Sequence, residues 1–134
     1  MTIGNTTETA LLAKIFNATA IPWDAVTDLE LHLHTADPGE GGITTTNEAT
    51  YGAYAPILVA RNAGGWTVAG NTADNTALVQ FATCTSGSNV ITIVSIAPSG
   101  STTIIASGLL SSSITVSTGI RPQFEAGDLS MTLD

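Results

Sequence analysis

Charge is what this chain most conspicuously lacks. Of its 134 residues only 10% are Asp, Glu, Lys or Arg, where ordinary soluble domains carry about 25%. Thr, Ser, Ala, Gly and Asn fill the space instead. A lone monomer keeps itself dispersed with a surface of mixed charge, so a chain this poor in charge is expected to cover much of its exterior with copies of itself or with a larger shell. Positive charge is scarcest of all: Lys14, Arg61 and Arg121 stand against eleven acids, for a net charge of -8. Three scattered cations cannot displace phosphate counterions along a groove, which argues against nucleic acid as a partner. An anionic membrane surface is disfavoured for the same reason.

Long apolar runs are missing too. No stretch approaches the roughly 18 uninterrupted apolar residues of a membrane helix, and the N-terminus has no basic region leading into an apolar run and a small-residue cleavage site. The expectation is a soluble, unprocessed chain. Cys84 is the single cysteine, so no internal disulfide framework and no multi-thiolate zinc site can form. Its neighbours Thr83, Thr85 and Ser86 supply no base or cation, and it reads as a small buried residue rather than a reactive thiol. Aromatics make up 5%, and Trp23, Trp66, Tyr51 and Tyr54 form no cluster. They are expected to pack in a core or interface rather than to stack on sugar rings.

What is present is one helical segment followed by strand grammar. Residues 5–18 begin with Asn5 as a candidate cap and Glu8 three residues on, a capping-box spacing. Leu11, Leu12, Ile15 and Phe16 then fall on one stripe, which predicts one packing partner. Asn17, Thr19 and Pro22 end the segment, and Trp23 opens a connector expected to lie close to the core. From Leu29 the period is two. Leu29, Leu31 and Leu33 face one way and Glu30, His32 and His34 the other, as in a half-buried strand.

Residues 35–50 carry Asp37, Pro38, Gly39 and Glu40. Proline before glycine suits the central positions of a type II turn and predicts a long, exposed, mobile loop. Further strands are predicted at 54–60, 65–69, 76–83, 89–97, 103–109, 113–117 and 129–133, separated by Gly, Ser, Asn and Pro breaks. Many short strands without crossover helices predict a mainly β fold, an antiparallel β-sandwich or jelly-roll-like domain over 1–134, with one N-terminal helix and a β-rich body from 29 onward.

Chemistry is sparse. Glu30, His32 and His34 share a strand face that in principle offers three metal ligands. The plainer reading, a polar face meeting solvent or a neighbouring subunit, is preferred because the sequence announces no groups to orient the ligands and no pocket. At a subunit contact the two histidines would make assembly sensitive to pH. The acids Asp37, Glu40 and Glu48 lack the alternating ligand spacing of a calcium loop. No Gly-x-Ser-x-Gly turn singles out a triad, and no phosphate loop is present. No catalytic residue, metal or cofactor is assigned. The candidate site is a set of assembly contacts at Glu30, His32, His34, Asp37, Pro38 and Glu40.

Three landmarks in order carry a resemblance. Leu29 to Glu40 reads L-x-L-H-x-H-T-A-D-P-G-E. Tyr51-Gly52-x-Tyr54-Ala55 leads into Val59-Ala60-Arg61. The C-terminal run passes through Ser107-Gly108-Leu109-Leu110 and Ile114-Thr115-Val116. It ends in Gly119-Ile120-x-Pro122-x-Phe124-x-Ala126-Gly127-x-Leu129-x-Met131-Thr132-Leu133. Together these resemble a family of short tailed-phage virion proteins, labelled tail-fibre or capsid accessory proteins. Pro56 departs from the pattern and points to an edge strand or bulge at that position.

The resemblance implies a non-enzymatic virion component made in the bacterial host cytoplasm and assembled as a homo-oligomer, a trimer being favoured. Two placements follow. One is a cement or decoration protein on the capsid exterior, bracing the major capsid protein. The other is a tail-fibre or tail-tip protein that binds tail proteins and contacts the host surface. The compact chain, with no coiled-coil heptads, favours the capsid.

Overall fold

The computed structural model describes residues 1–133; Asp134, the last residue of the expected domain, lies outside them. Its elements in chain order are β1 (Thr2–Ile3), α1 (Asn5–Asn17), β2 (Asp28–His34), β3 (Ile57–Ala60), β4 (Trp66–Ala69), β5 (Thr72–Asn75), β6 (Val79–Gln80), β7 (Ser88–Pro98), β8 (Ala106–Ser117), β9 (Gln123–Phe124) and β10 (Ser130–Thr132). The protein is therefore mainly β, with antiparallel sheets and one helix near the N-terminus. A five-stranded sheet runs in the order β1-β8-β7-β2-β3, a three-stranded sheet in the order β10-β5-β4, and β6 pairs with β9.

Register explains where the core sits. Leu31 lies opposite Ile96 and Leu33 opposite Val94, so the apolar side chains of the central strands β2 and β7 share one face of the large sheet. That face is closed by Val79 of β6, Phe124 of β9, and Tyr51, Phe81, Cys84 and Leu129 from the loops between strands. Phe81 meets Phe124 edge-on at 6.3 Å between ring centroids. Trp66 and Leu29 are half-buried at the margin of the same cluster.

Several boundaries differ from the sequence reading. Gly70 and Asn71, past the end of the strand predicted at 65–69, form the loop of a tight hairpin, and β5, which was not predicted, follows at once with Thr72 opposite Ala69. The predicted strand over 76–83 shrinks to Val79–Gln80, because its partner β9 offers only two residues. Strands predicted at 103–109 and 113–117 are the two ends of β8. The ladder with β7 jumps from Ile93↔Leu109 to Ile91↔Ile114, so Leu110–Ser113 bulge opposite Thr92 alone. Pro56 directly precedes β3, which is an edge strand, where a missing N–H costs the ladder nothing.

The helix departs furthest from expectation. Its cap is Gly4, not Asn5, and no side chain caps it. The Gly4 carbonyl accepts the N–H groups of Thr7 and Glu8, while the Gly4 N–H donates to the Ile105 carbonyl. A Cβ at residue 4 would stand 2.6 Å from the Ile104 oxygen, so close backbone approach decides which residue caps. At the far end Ala18 takes the left-handed conformation at φ 52 and stops the helix. Of the apolar stripe Leu11 is half-buried, and the rest finds no cover among the described residues. Leu12, Ile15 and Phe16 are 57%, 70% and 76% exposed, and Thr7 is the one buried residue of the helix. Trp23 in the following connector is buried.

Candidate functional site

The face of β2 expected to meet solvent or a neighbour is covered by the chain itself. His32 and His34 are both buried and Glu30 is half-buried. Residues 35–50, expected to stand off as an exposed loop, fold back across this face. The Thr35 N–H donates to the Asn47 carbonyl and the Ala49 N–H to the Leu33 carbonyl, bonds that prolong the β2 edge beyond the end of β3. Pro38, Thr44 and Ala49 are buried beneath the fold-back, and Ile43 bridges to Thr103.

Most polar groups on that face are hydrogen-bonded, as burial requires. His34 Nδ1 lies 2.8 Å from the Thr46 carbonyl and its Nε2 lies 2.7 Å from Ser95 Oγ. A carbonyl can only accept, so Nδ1 carries the proton, and in the neutral ring Nε2 then accepts from the serine hydroxyl. Burial holds the His34 pKa below its ordinary 6.5, against the opposing pull of the Thr46 hydrogen bond. His32 Nδ1 lies 2.7 Å from Glu48 Oε1. Among the described residues its Nε2 has no hydrogen-bond partner, and it lies 3.4 Å from Glu30 Oε2. Glu48 also accepts from the Tyr54 hydroxyl at 2.9 Å, and that oxygen accepts the Leu33 N–H at 3.0 Å. Burial pushes the Tyr54 phenol far above the ordinary tyrosine range, and pushes Tyr51 up to about 12. Both stay protonated as donors. Glu30 reaches the other way, accepting from Ser99 Oγ and the Gly100 N–H, each at 3.2 Å.

The arrangement ties a loop to a sheet and does not gather ligands. The two nitrogens of His32 point to different carboxylates, both nitrogens of His34 are spent, and no group of three His, Cys, Asp or Glu side chains converges on one point among the described residues. The Ser95–His34 contact has the length of a nucleophile–base pair. Both residues are 0% exposed, and the histidine is oriented by a backbone carbonyl, so the pair ties the fold-back to β7.

The six predicted contact residues therefore divide. His32, His34 and Pro38 are buried and Glu30 is half-buried, while Asp37 and Glu40 remain exposed at the turn. There Asp37 Oδ1 accepts the Gly39 N–H at 2.8 Å and Gly39 adopts φ 75, the positive value expected of it. The Glu40 carbonyl accepts the Asn5 N–H at the start of α1. Of the six, only the two acids thus stand fully on the surface, while the histidines are bonded to the loop and to β7.

Sequence reasoning missed the partners Thr46, Tyr54 and Ser95, and gave Glu48 no role in this network. One signal was available for Ser95: a lone serine within the apolar run Ile93 to Ala97 marks a buried hydroxyl that needs an acceptor or donor nearby. Also missed were the exposed apolar groups. Besides the helix stripe, Val68 of β4 is 74% exposed and Leu109 of β8 is 81% exposed. No helix among the described residues is long and apolar enough to cross a membrane.

Among curated proteins none matches the chain. A family model does, over residues 2–132. A β-rich body held together by buried polar ties, with apolar side chains left outward and no assembled catalytic set among the described residues, is in keeping with a structural role in a particle. That match spans nearly the whole chain, and the protein belongs to the family described as podophage GP4 fiber I protein gp80, structural proteins of a phage virion.

Proposed function

We propose that the chain is a non-enzymatic fibre subunit of a podophage virion that works as a homo-oligomer anchored to neighbouring tail proteins. The observation that carries this reading is the family match over residues 2–132. Two features of the molecule support it. The scarcity of charge leaves the surface poorly suited to a dispersed monomer. The outward Leu12, Ile15, Phe16, Val68 and Leu109 give it the apolar groups that subunit contacts bury. Asp37 and Glu40, on a turn fixed by Pro38 and tied to the sheet through His34, serve as a polar rim contact, with Glu30 and His32 acting behind them.

A capsid-cement role on the shell exterior, bracing the major capsid protein, is the second reading. It is favoured by the length of α1, the one helix among the described residues: at 13 residues it is far short of a coiled-coil stalk. Electron cryomicroscopy of particles carrying a tagged copy separates the two. Density confined to appendages at the tail vertex, in tens of copies or fewer, is the expected result. A lattice of hundreds of copies over the shell would replace the fibre reading with the cement reading.

A further inference from the structure

The two edges of the large sheet are finished differently. On one side β3 has four residues, Pro56 stands before it, and the chain turns back over its end so closely that a Cβ at residue 65 would collide with the Ala60 carbonyl. Short length, proline and cover are means by which an edge is kept from pairing with another chain. On the other side β8 has 12 residues, Ala106–Ser117, with no proline and no charged residue. β1 pairs with Ala106 and Ser107 alone. From Gly108 to Val116 the backbone of β8 has no strand beside it except β7, and no loop among the described residues bonds it.

An edge strand turns alternate N–H and C=O groups outward. This side of the sheet therefore presents donors and acceptors that an extended backbone matches along their length. The bulge at Leu110–Ser113 bends the row, and past Ser117 the chain turns, with the Ser117 carbonyl accepting the Ile120 N–H. The usable stretch is short and centres on Thr115. We infer that β8 of one copy pairs antiparallel with β8 of a second copy of this chain, Thr115 beside Thr115, so that two five-stranded sheets continue into one.

Three observations favour a second copy as the strand that docks there. The first is self-complementarity. A two-fold axis perpendicular to the sheet keeps both core faces on one side and sets one residue opposite itself. Centred on Thr115, it places Ile114 opposite Val116 and Ser113 opposite Ser117, so that β-branched side chains meet each other and hydroxyls meet hydroxyls. The second is burial. Val116 is buried, but Ile114 on the same face is only half-buried, and a hollow of about 430 Å³ opens beside it. A further strand at this edge covers Ile114. The third is charge. Two copies at -8 repel one another, and the uncharged β8 lets their backbones meet without setting acid against acid. Asp37 and Glu40 border the strand near Ser107–Leu109, short of the paired stretch. Asp128 lines the hollow, where its carboxylate accepts the Glu125 N–H.

The inference rests on the homo-oligomer reading and names its joint; its test uses the purified full chain, so the placement on the particle can fail without it. Thr115 is exposed, so Thr115→Lys and Thr115→Glu are each expected to fold, with circular dichroism like that of the unaltered chain. In sedimentation velocity the unaltered chain is expected to dimerise. Each variant alone sets like charges opposite one another and is expected to associate at least about tenfold more weakly, the lysine variant even though it lowers the net negative charge. Mixing the two is expected to restore dimers, because lysine then faces glutamate. Leu58→Lys, on the guarded edge, is expected to leave association unchanged. A chain that stays monomeric up to about 1 mM, dimers that survive both Thr115 variants, a mixture no better than its parts, or an equal loss with Leu58→Lys would each overturn the inference. Should the charged variants misfold, Thr115→Cys decides. Residues directly opposed in an antiparallel pair lie within disulfide reach, and Cys84 is buried. Oxidation is expected to link Thr115→Cys into dimers, and failure to do so would equally overturn the pairing.

Discussion

Strand β2 and helix α1 treat polarity in opposite ways. The strand turns two histidines inward until they are buried, with Glu30 half-buried beside them, whereas the helix turns a leucine, an isoleucine and a phenylalanine outward. The strand can do so because the fold-back of residues 35–50 brings Thr46 and Glu48, and β7 brings Ser95, within 2.8 Å of the imidazoles. The helix leaves Leu12, Ile15 and Phe16 outside because nothing among the described residues is placed over them. Hydrophobicity sets what burial is worth, and the availability of a partner sets whether burial happens.

The sharpest way to break this contrast is to truncate an apolar residue on each element. Leu33→Ala removes a side chain that is 0% exposed and is expected to cost about 2–5 kcal/mol in urea unfolding. Leu12→Ala, at 57% exposure, is expected to stay within about 0.5 kcal/mol measured at low concentration. Equal losses would mean that the helix stripe is packed in solution.

Next comes the polar side of β2. His34→Ala strips partners from Thr46 and Ser95 and is expected to cost about 1–3 kcal/mol for each group left unpaired. Faster hydrogen exchange at the Thr35 and Ala49 amides would locate the damage in the fold-back. Glu48→Gln keeps an acceptor for His32 and Tyr54 but removes its charge. A loss of about 1–3 kcal/mol is expected, and a neutral result would show that shape rather than charge holds the loop.

The smallest effect is that of pH. His34 has a folded pKa below its unfolded value of 6.5, so as pH falls the unfolded chain takes up the proton first. The stability tied to a neutral His34 is therefore complete above pH 6.5 and lost as pH falls through the interval between the two values. Urea midpoints measured from pH 8 to pH 5 should decline, and His34→Ala should show a flatter decline. An unchanged slope in that variant would assign the dependence to other groups.

Much of the architecture was legible because it rests on local rules. The alternation Leu29 to His34 forecast a strand with one leucine face, the run 89–97 forecast the central strand, and Pro56 forecast an edge. Missed were β5, a hairpin neighbour of β4 whose Asp74 and Asn75 are poor strand formers, and two elements whose partner is distant: β1 exists because Thr2 and Ile3 meet Ser107 and Ala106, and β9 because Phe124 meets Val79. No local pattern in two residues can announce that. The candidate site was legible as a set of side chains on one face and illegible as an environment. The bonds that bury it join residues 12, 16 and 61 positions apart.

By itself, then, the sequence determined the periodicity, the sparse and acidic charge, the positive-φ turn at Gly39 and the landmarks of a virion protein, all properties of neighbouring residues or of composition. Tertiary structure alone decided that Gly4 rather than Asn5 caps the helix, that the histidines are walled in, and that the helix stripe faces outward. Each of those outcomes depends on which remote backbone or side chain arrives within a few ångströms, and contact energies at that range are set by position in space.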